Sequence, residues 1–194
     1  MDHSSHSTAQ ADPGLIQTSD PAPDRWPVAL YADGGVIDRN PSPLGGTWAW
    51  CLVDSLDVRL RTGSGVITPA EARLEDVTNN VTELLAVVRG LEALPDGWRG
   101  TVYTDSAVTI RRVFLHAPLR GVPTWLIERL RLQLQRLDLS QSRYVLLSGH
   151  PTRDELARGV GRDGRPVSIH NVWCDRACQQ AAQQWRQQRE ARHV

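Results

Sequence analysis

Apolar residues at Leu84, Val87, Val88, Leu91 and Leu94 follow the 3.6-residue period of a helix with one buried face, and predict a helix over Val81 to Leu94. Two short apolar runs flank it. Val28-Ala29-Leu30 leads into Tyr31-Ala32-Asp33, and Thr101-Val102 leads into Tyr103-Thr104-Asp105. Side chains alternate along a strand, so each aspartate shares a face with the tyrosine two residues earlier. A strand, a packed helix and a second strand make a crossover, which joins parallel strands. If the strands are neighbours, about 4.8 Å apart, Asp33 and Asp105 end side by side at one edge of the sheet.

The rest of the chain reads in the same way. Thr47 to Val53 predicts a second strand with Trp48 and Trp50 on one face, and Arg59 to Ile67 a third, before a loop from Thr68 to Val77. Leu126, Leu130, Leu134 and Leu137 mark a helix over Trp125 to Leu137, and Tyr144 to Leu147 a further strand. A long final helix, Val172 to Arg192, turns rich in Gln and Arg, so its polar end either projects as a contact surface or frays. The first 25 residues, rich in Ser, Asp, Pro and His and without an apolar run, read as a disordered tail ahead of one domain over residues 26–194.

Composition narrows the class. With 194 residues and 40% hydrophobic content the chain can bury a sizeable core. The formal net charge is zero, so any nucleic-acid footprint is a local patch and not a global field. Every basic side chain is arginine, which we read as coding bias. No secretory or membrane-spanning segment is legible, and Cys51, Cys174 and Cys178 have no disulfide spacing; both point to a reducing cytoplasm with no membrane partner, and a monomer is expected.

The candidate chemistry lies in four carboxylates, Asp33, Glu83, Asp105 and Asp175. Carboxylates gathered this closely raise one another's pKa, and a divalent cation is the natural compensation. Oxygen donors without a His or Cys cluster favour Mg²⁺ or Mn²⁺ over zinc. Three of the four also have local readings. Asp33-Gly34-Gly35 suits a strand-ending turn, Asn80 to Glu83 a capping box, and Asp105-Ser106 a helix cap. Asp175 shares a helix face with Val172, Cys178, Ala182 and Trp185, and a charge on such a stripe needs a partner.

The order Asp33-Gly34-Gly35, Asn40-Pro41, Thr78-Asn79-Asn80-Val81-Thr82-Glu83-Leu84, Tyr103-Thr104-Asp105-Ser106, Ser148-Gly149-His150 and Asn171-Val172-Trp173-Cys174-Asp175 resembles a type 1 ribonuclease H over roughly Val28 to Ala182. The resemblance implies an α/β, RNase H-like fold with a five-stranded mixed sheet flanked by helices on both faces. It also implies an endonuclease that hydrolyses the RNA strand of RNA/DNA hybrids with two Mg²⁺ ions, Mn²⁺ being a possible substitute. Asp33, Glu83, Asp105 and Asp175 would be the metal ligands. His150 would move a proton or assist product release. Gly34, Asn40, Thr78, Asn79, Asn80 and Asn171 would contact the hybrid, where amides and backbone groups read 2′-hydroxyls.

Three departures stand out. The interval from His150 to Asp175 is enlarged and contains Arg153-Asp154-Glu155-Leu156-Ala157-Arg158, which imitates the family's final helix and makes Asp154 a rival fourth ligand. Asp154 stands too close to His150 and in a loop expected to be mobile, so Asp175 is preferred. The region from Arg111 to Thr124 lacks a basic handle, which leaves the arginines of the enlarged loop as the expected phosphate contacts or as a solvated surface. No separate hybrid-binding domain is legible. The alternatives are another nuclease of this fold, a junction resolvase or DNA exonuclease, or a non-catalytic hybrid-binding module.

Overall fold

The computed structural model describes residues 25–191. The expected N-terminal tail lies outside the described residues except for Arg25, whose Nε pairs with Asp54 Oδ2 at 3.0 Å and so ties that residue to the domain. Strands β1 (Ala29–Val36), β2 (Gly46–Val53) and β3 (Arg59–Ile67) form an antiparallel meander, while β4 (Thr101–Thr104) and β5 (Arg143–Leu146) add parallel strands on the other side of β1. The five strands lie in the order β3-β2-β1-β4-β5. Helices α1 (Pro69–Ala72) and α2 (Asn79–Glu92) link β3 to β4, and α3 (Ala107–Phe114) and α4 (Thr124–Leu137) link β4 to β5. Helices α5 (Arg153–Arg158) and α6 (Ile169–Ala191) follow β5.

The alternation of strand residues builds two cores. Leu30 and Ala32 of β1, with Trp50 and Leu52 of β2, pack against Leu84, Val87, Val88 and Leu91 of α2 and Leu126, Leu130 and Leu137 of α4. Ala29 and Tyr31, with Ala49, Cys51 and Val53, face the opposite way onto Cys174, Ala177 and Cys178 of α6. Burying each Leu or Val in full is worth ~1.5–3 kcal/mol, so both faces of the sheet are held by helices that local polarity alone would not fix. All three cysteines are free and buried, and the α6 pair serves this packing.

Several boundaries differ from the sequence reading. α2 begins at Asn79, two residues before the predicted Val81, because extended Thr78 is the cap. The 68–77 stretch contains α1, nucleated by a reciprocal Thr68–Glu71 capping box. The enlarged loop is ordered. Thr152 and Glu155 form a second capping box at the start of α5, and Glu155 Oε1 accepts from the Arg162 amide at 2.8 Å. The Ser148 amide donates to Pro166 O at 2.9 Å, which closes the excursion onto the sheet. Among the described residues no helix is long and apolar enough to cross a membrane.

Candidate active site

The parallel β1–β4 register pairs Tyr31 with Tyr103, and the two rings stack with centroids 4.5 Å apart and planes 10° from parallel. Asp33 and Asp105 follow each tyrosine by two residues and so leave the sheet on the same face. The repeated Tyr-x-Asp pattern is thus one device laid across two strands. From one side α2 brings Glu83, and from the other α6 brings Asp175. All four carboxylates, with Asn79 and His150, line a single cleft of about 520 Å³.

Gly34 makes that convergence possible. A Cβ there would stand 2.3 Å from the Glu83 amide nitrogen and 2.4 Å from the Thr82 carbonyl carbon, so only a bare backbone lets the first turn of α2 approach the end of β1. At Gly149 an added Cβ would crowd only the Asp105 Oδ2, at 2.9 Å, a side-chain atom that can turn aside.

Each carboxylate has a different environment. Asp33 is 7% exposed, and burial first, then Asp105 and Asp175, push its carboxyl well above the usual range, against one amide bond from Gly34 at 2.7 Å. Burial likewise raises Glu83, whose Oε2 accepts from Ser106 Oγ at 2.6 Å. Asp105 is raised by burial, with His150 and Asn171 opposing and Asp175 adding to the shift. Asp175 lies at the edge of the helix face and not within the buried stripe: its side chain is 28% exposed and has Gln179 Nε2 3.0 Å from both oxygens. His150 Nδ1 lies 3.7 Å from Asp175 Oδ2 with the imidazole 79% exposed.

Of the two capping readings, the first is corrected and the second holds for its serine. Glu83 does not reach back to an Asn80 cap: the cap is Thr78, which puts Val81 at the third helical position and frees Glu83 to turn toward Ser106. Asp105 does not cap α3; Ser106 does, with its Oγ accepting from the Thr109 amide.

As a donor set the cleft offers carboxylate and amide oxygens, which suits a hard divalent cation. Burial first, and then their neighbouring carboxylates, raise three of its carboxyls, and a bound cation would favour their ionised forms. Among the described residues no group of three or more His, Cys, Asp or Glu side chains is already drawn together to hold an ion. Ser106 and Gln179 hold Glu83 and Asp175 in their present positions.

A Ribonuclease H of Caldicellulosiruptor saccharolyticus is 27% identical over 152 residues, 76% of this chain and 90% of that protein. An RNase H1 from the halophilic archaeon Halobacterium salinarum superposes with a TM-score of 0.53 at 18% identity, over 81% of this chain and 98% of that one. The N-terminal RNase H domain of a Mycobacterium tuberculosis protein, solved as a fusion with maltose-binding protein, gives 0.55 at 17% identity, over 80% and 99%. The resemblance is to type 1 ribonuclease H. The chain shares the ribonuclease H fold, although no family model matches it.

Within this ribonuclease H fold the remaining sequence-expected residues divide. Asn40 Oδ1 accepts from the Asn79 amide at 3.2 Å, which joins two segments 39 residues apart at the rim. Asn171, 3% exposed, lies beside Asp105 and His150. The side-chain oxygens of Asn79 and Asn171 are buried without a hydrogen-bond partner. Thr78 caps α2 through its backbone alone, and Asn80 is exposed, its carbonyl accepting from Arg112 at 3.4 Å. Asp154 is exposed on α5 and is not part of the cleft wall, so it is set aside by position and not by the loop mobility expected for it. Sequence reasoning missed Gln179 and Arg186 of the cleft, which carry no local signature, and the support that Ser106 gives Glu83 from behind it, the serine being visible only as a cap.

Proposed function

We propose that this chain is a metal-dependent endonuclease that hydrolyses the RNA strand of RNA/DNA hybrids. The observation that carries the reading is the convergence of Asp33, Glu83, Asp105 and Asp175 on one cleft, three of them with raised carboxyls. A binder of polyanions gains nothing by concentrating negative charge. The Ribonuclease H relatives support the same reading.

The four carboxylates would hold two Mg²⁺ ions, with Mn²⁺ as a substitute. Such ions, when bound, supply Lewis acidity for the attacking water and for the leaving oxygen of a phosphodiester. The rest belongs to the chain. The stacked tyrosines keep Asp33 and Asp105 at fixed spacing. Ser106 orients Glu83 and Gln179 orients Asp175, two of the carboxylates that would hold the ions. His150, exposed and beside Asp175, moves a proton between the cleft and solvent. Asn79 and Asn171, whose buried side-chain oxygens lack partners, would turn their amides toward sugar hydroxyls, while Gly34, Asn40, Thr78 and Asn80 complete the hybrid contact.

Cleavage of RNA/DNA hybrid, duplex DNA, duplex RNA and four-way junctions, each with and without Mg²⁺, tests the reading. The expected result is Mg²⁺-dependent cutting of the RNA strand of the hybrid alone. Cutting of junctions or duplex DNA would make this a different nuclease of the fold. Hybrid binding with no cutting under any condition would make it a binding module.

A further inference from the structure

The distal half of α6 continues past the cleft with an unusual surface. Between Asp175 and Glu190 it carries no carboxylate, and glutamines recur in pairs every four residues at 179–180, 183–184 and 187–188, all of them exposed. Residues four apart neighbour one another on a helix, so the pairs stack as a continuous amide row. An exposed helix end kept merely soluble mixes charges of both signs at that spacing. Amides both donate and accept, and unlike Glu they do not repel a polyanion.

Two arginines flank the row. Arg186 lines the carboxylate cleft and also an open depression of about 580 Å³ walled by Asp38, Leu44, Trp185, Arg189 and Glu190, so it stands between the two concavities. Its partner is Asp38 at 2.8 Å, both side chains about half exposed, and a pair so exposed is held weakly in water and is exchangeable. The Arg189 guanidinium lies 4.9 Å from the centroid of the Trp185 ring, which steadies its plane while leaving its N–H groups free for an oxyanion. At a rise of 1.5 Å per residue, Arg186 and Arg189 stand about 16 and 21 Å beyond Asp175 along the helix axis. That is too far for the bond being cut but suited to backbone phosphates several nucleotides away, since phosphates recur about every 3.4 Å per strand along a duplex.

We propose that this half of α6 is a duplex-binding ridge that grips the sugar-phosphate backbone beside the cleft, with Arg186 and Arg189 on phosphates and the glutamine row on sugar hydroxyls. The inference rests on the nucleic-acid reading of the cleft and deepens it by naming where the substrate is held. With zero formal net charge the chain needs such a local patch. The arginines of the enlarged loop, left open by the sequence between phosphate contacts and a solvated surface, do not line the carboxylate cleft.

The test is binding of a short RNA/DNA hybrid by the full chain in chelating buffer, read by fluorescence anisotropy across a salt series. The parent is compared with Arg186→Gln/Arg189→Gln and with Arg99→Gln/Arg131→Gln, a control of equal charge loss on exposed arginines of β4's approach and α4. Circular dichroism confirms the helix content of each. For the ridge variant we expect affinity to fall on the order of tenfold, and the slope of log affinity against log salt to shallow by about 2, one unit per lost phosphate contact. The control should match the parent. A parent that binds no hybrid removes the nucleic-acid reading and the ridge with it. A parent that binds while the ridge variant keeps its affinity and slope, or loses no more than the control, removes the ridge alone. Retained hybrid binding with loss of a co-purifying protein would mean that the ridge serves a protein partner, and also overturns the proposal.

Discussion

Replacing Gly34 with alanine tests whether the close approach of β1 and α2 sets the spacing of the carboxylates. The added Cβ would stand 2.3 Å from the Glu83 amide nitrogen, 2.4 Å from the Thr82 carbonyl carbon and 2.7 Å from the Thr82 oxygen. These are backbone atoms in the first turn of a packed helix, so no side-chain rotation relieves them. The helix must retreat by about 1 Å to restore ordinary contact, and overpacking of that kind costs ~1–3 kcal/mol. For a domain of this size that lowers Tm by roughly 2–4 °C per kcal/mol. The same retreat carries Glu83 away from Asp33 and Asp105, and a misplacement of about 1 Å costs on the order of 10²-fold in rate. Calorimetry and hybrid cleavage in excess Mg²⁺ measure the two effects separately. A variant with the parent's Tm and a rate within threefold would refute the geometric argument, because the contact distances leave no room for an unmoved helix.

Three further outcomes are expected. Asp175→Asn should weaken Mg²⁺-dependent cleavage strongly while Asp154→Asn, exposed on α5, does little; a Mg²⁺ titration of rate for both decides, and the reverse order would move the fourth ligand to the enlarged loop. His150→Ala should slow turnover on the order of 10²- to 10⁴-fold without changing the Mg²⁺ midpoint, and an unchanged rate near neutral pH would leave His150 a bystander. In chelating buffer the raised carboxyls of Asp33, Glu83 and Asp105 bind protons more tightly folded than unfolded, so stability should fall as pH rises from the unfolded carboxylate range through their raised values. Asp33→Asn should flatten that fall and raise Tm at neutral pH, whereas a lower Tm would mean that the ionised carboxylate is satisfied within the fold.

What was legible in the sequence is what repeats locally. The Tyr-x-Asp pattern and the helical period between its two copies predicted parallel neighbours, and the Tyr31–Tyr103 stack shows them so placed. The Thr-x-x-Glu spacing at Thr152 and Glu155 signals a capping box, yet that segment was read as loose loop because its glycines dominated the reading. The Asn80–Glu83 spacing signalled a cap that did not form, since Thr78, already extended, starts the helix earlier. Hydrogen bonds that cross elements, such as Ser106 to Glu83 over 23 residues, leave no periodic trace. Neither does the approach that makes Gly34 necessary, which depends on how two elements dock.

The carboxylates draw on both cores of the molecule. Glu83 stands on a helix belonging to one core and Asp175 on a helix belonging to the other, with Asp33 and Asp105 on the sheet between them. Because α6 follows all five strands in the chain, the fourth carboxylate is the last of the four to be synthesised. On the proposed reading, a chain still leaving the ribosome holds only part of its cutting machinery until its final helix is made.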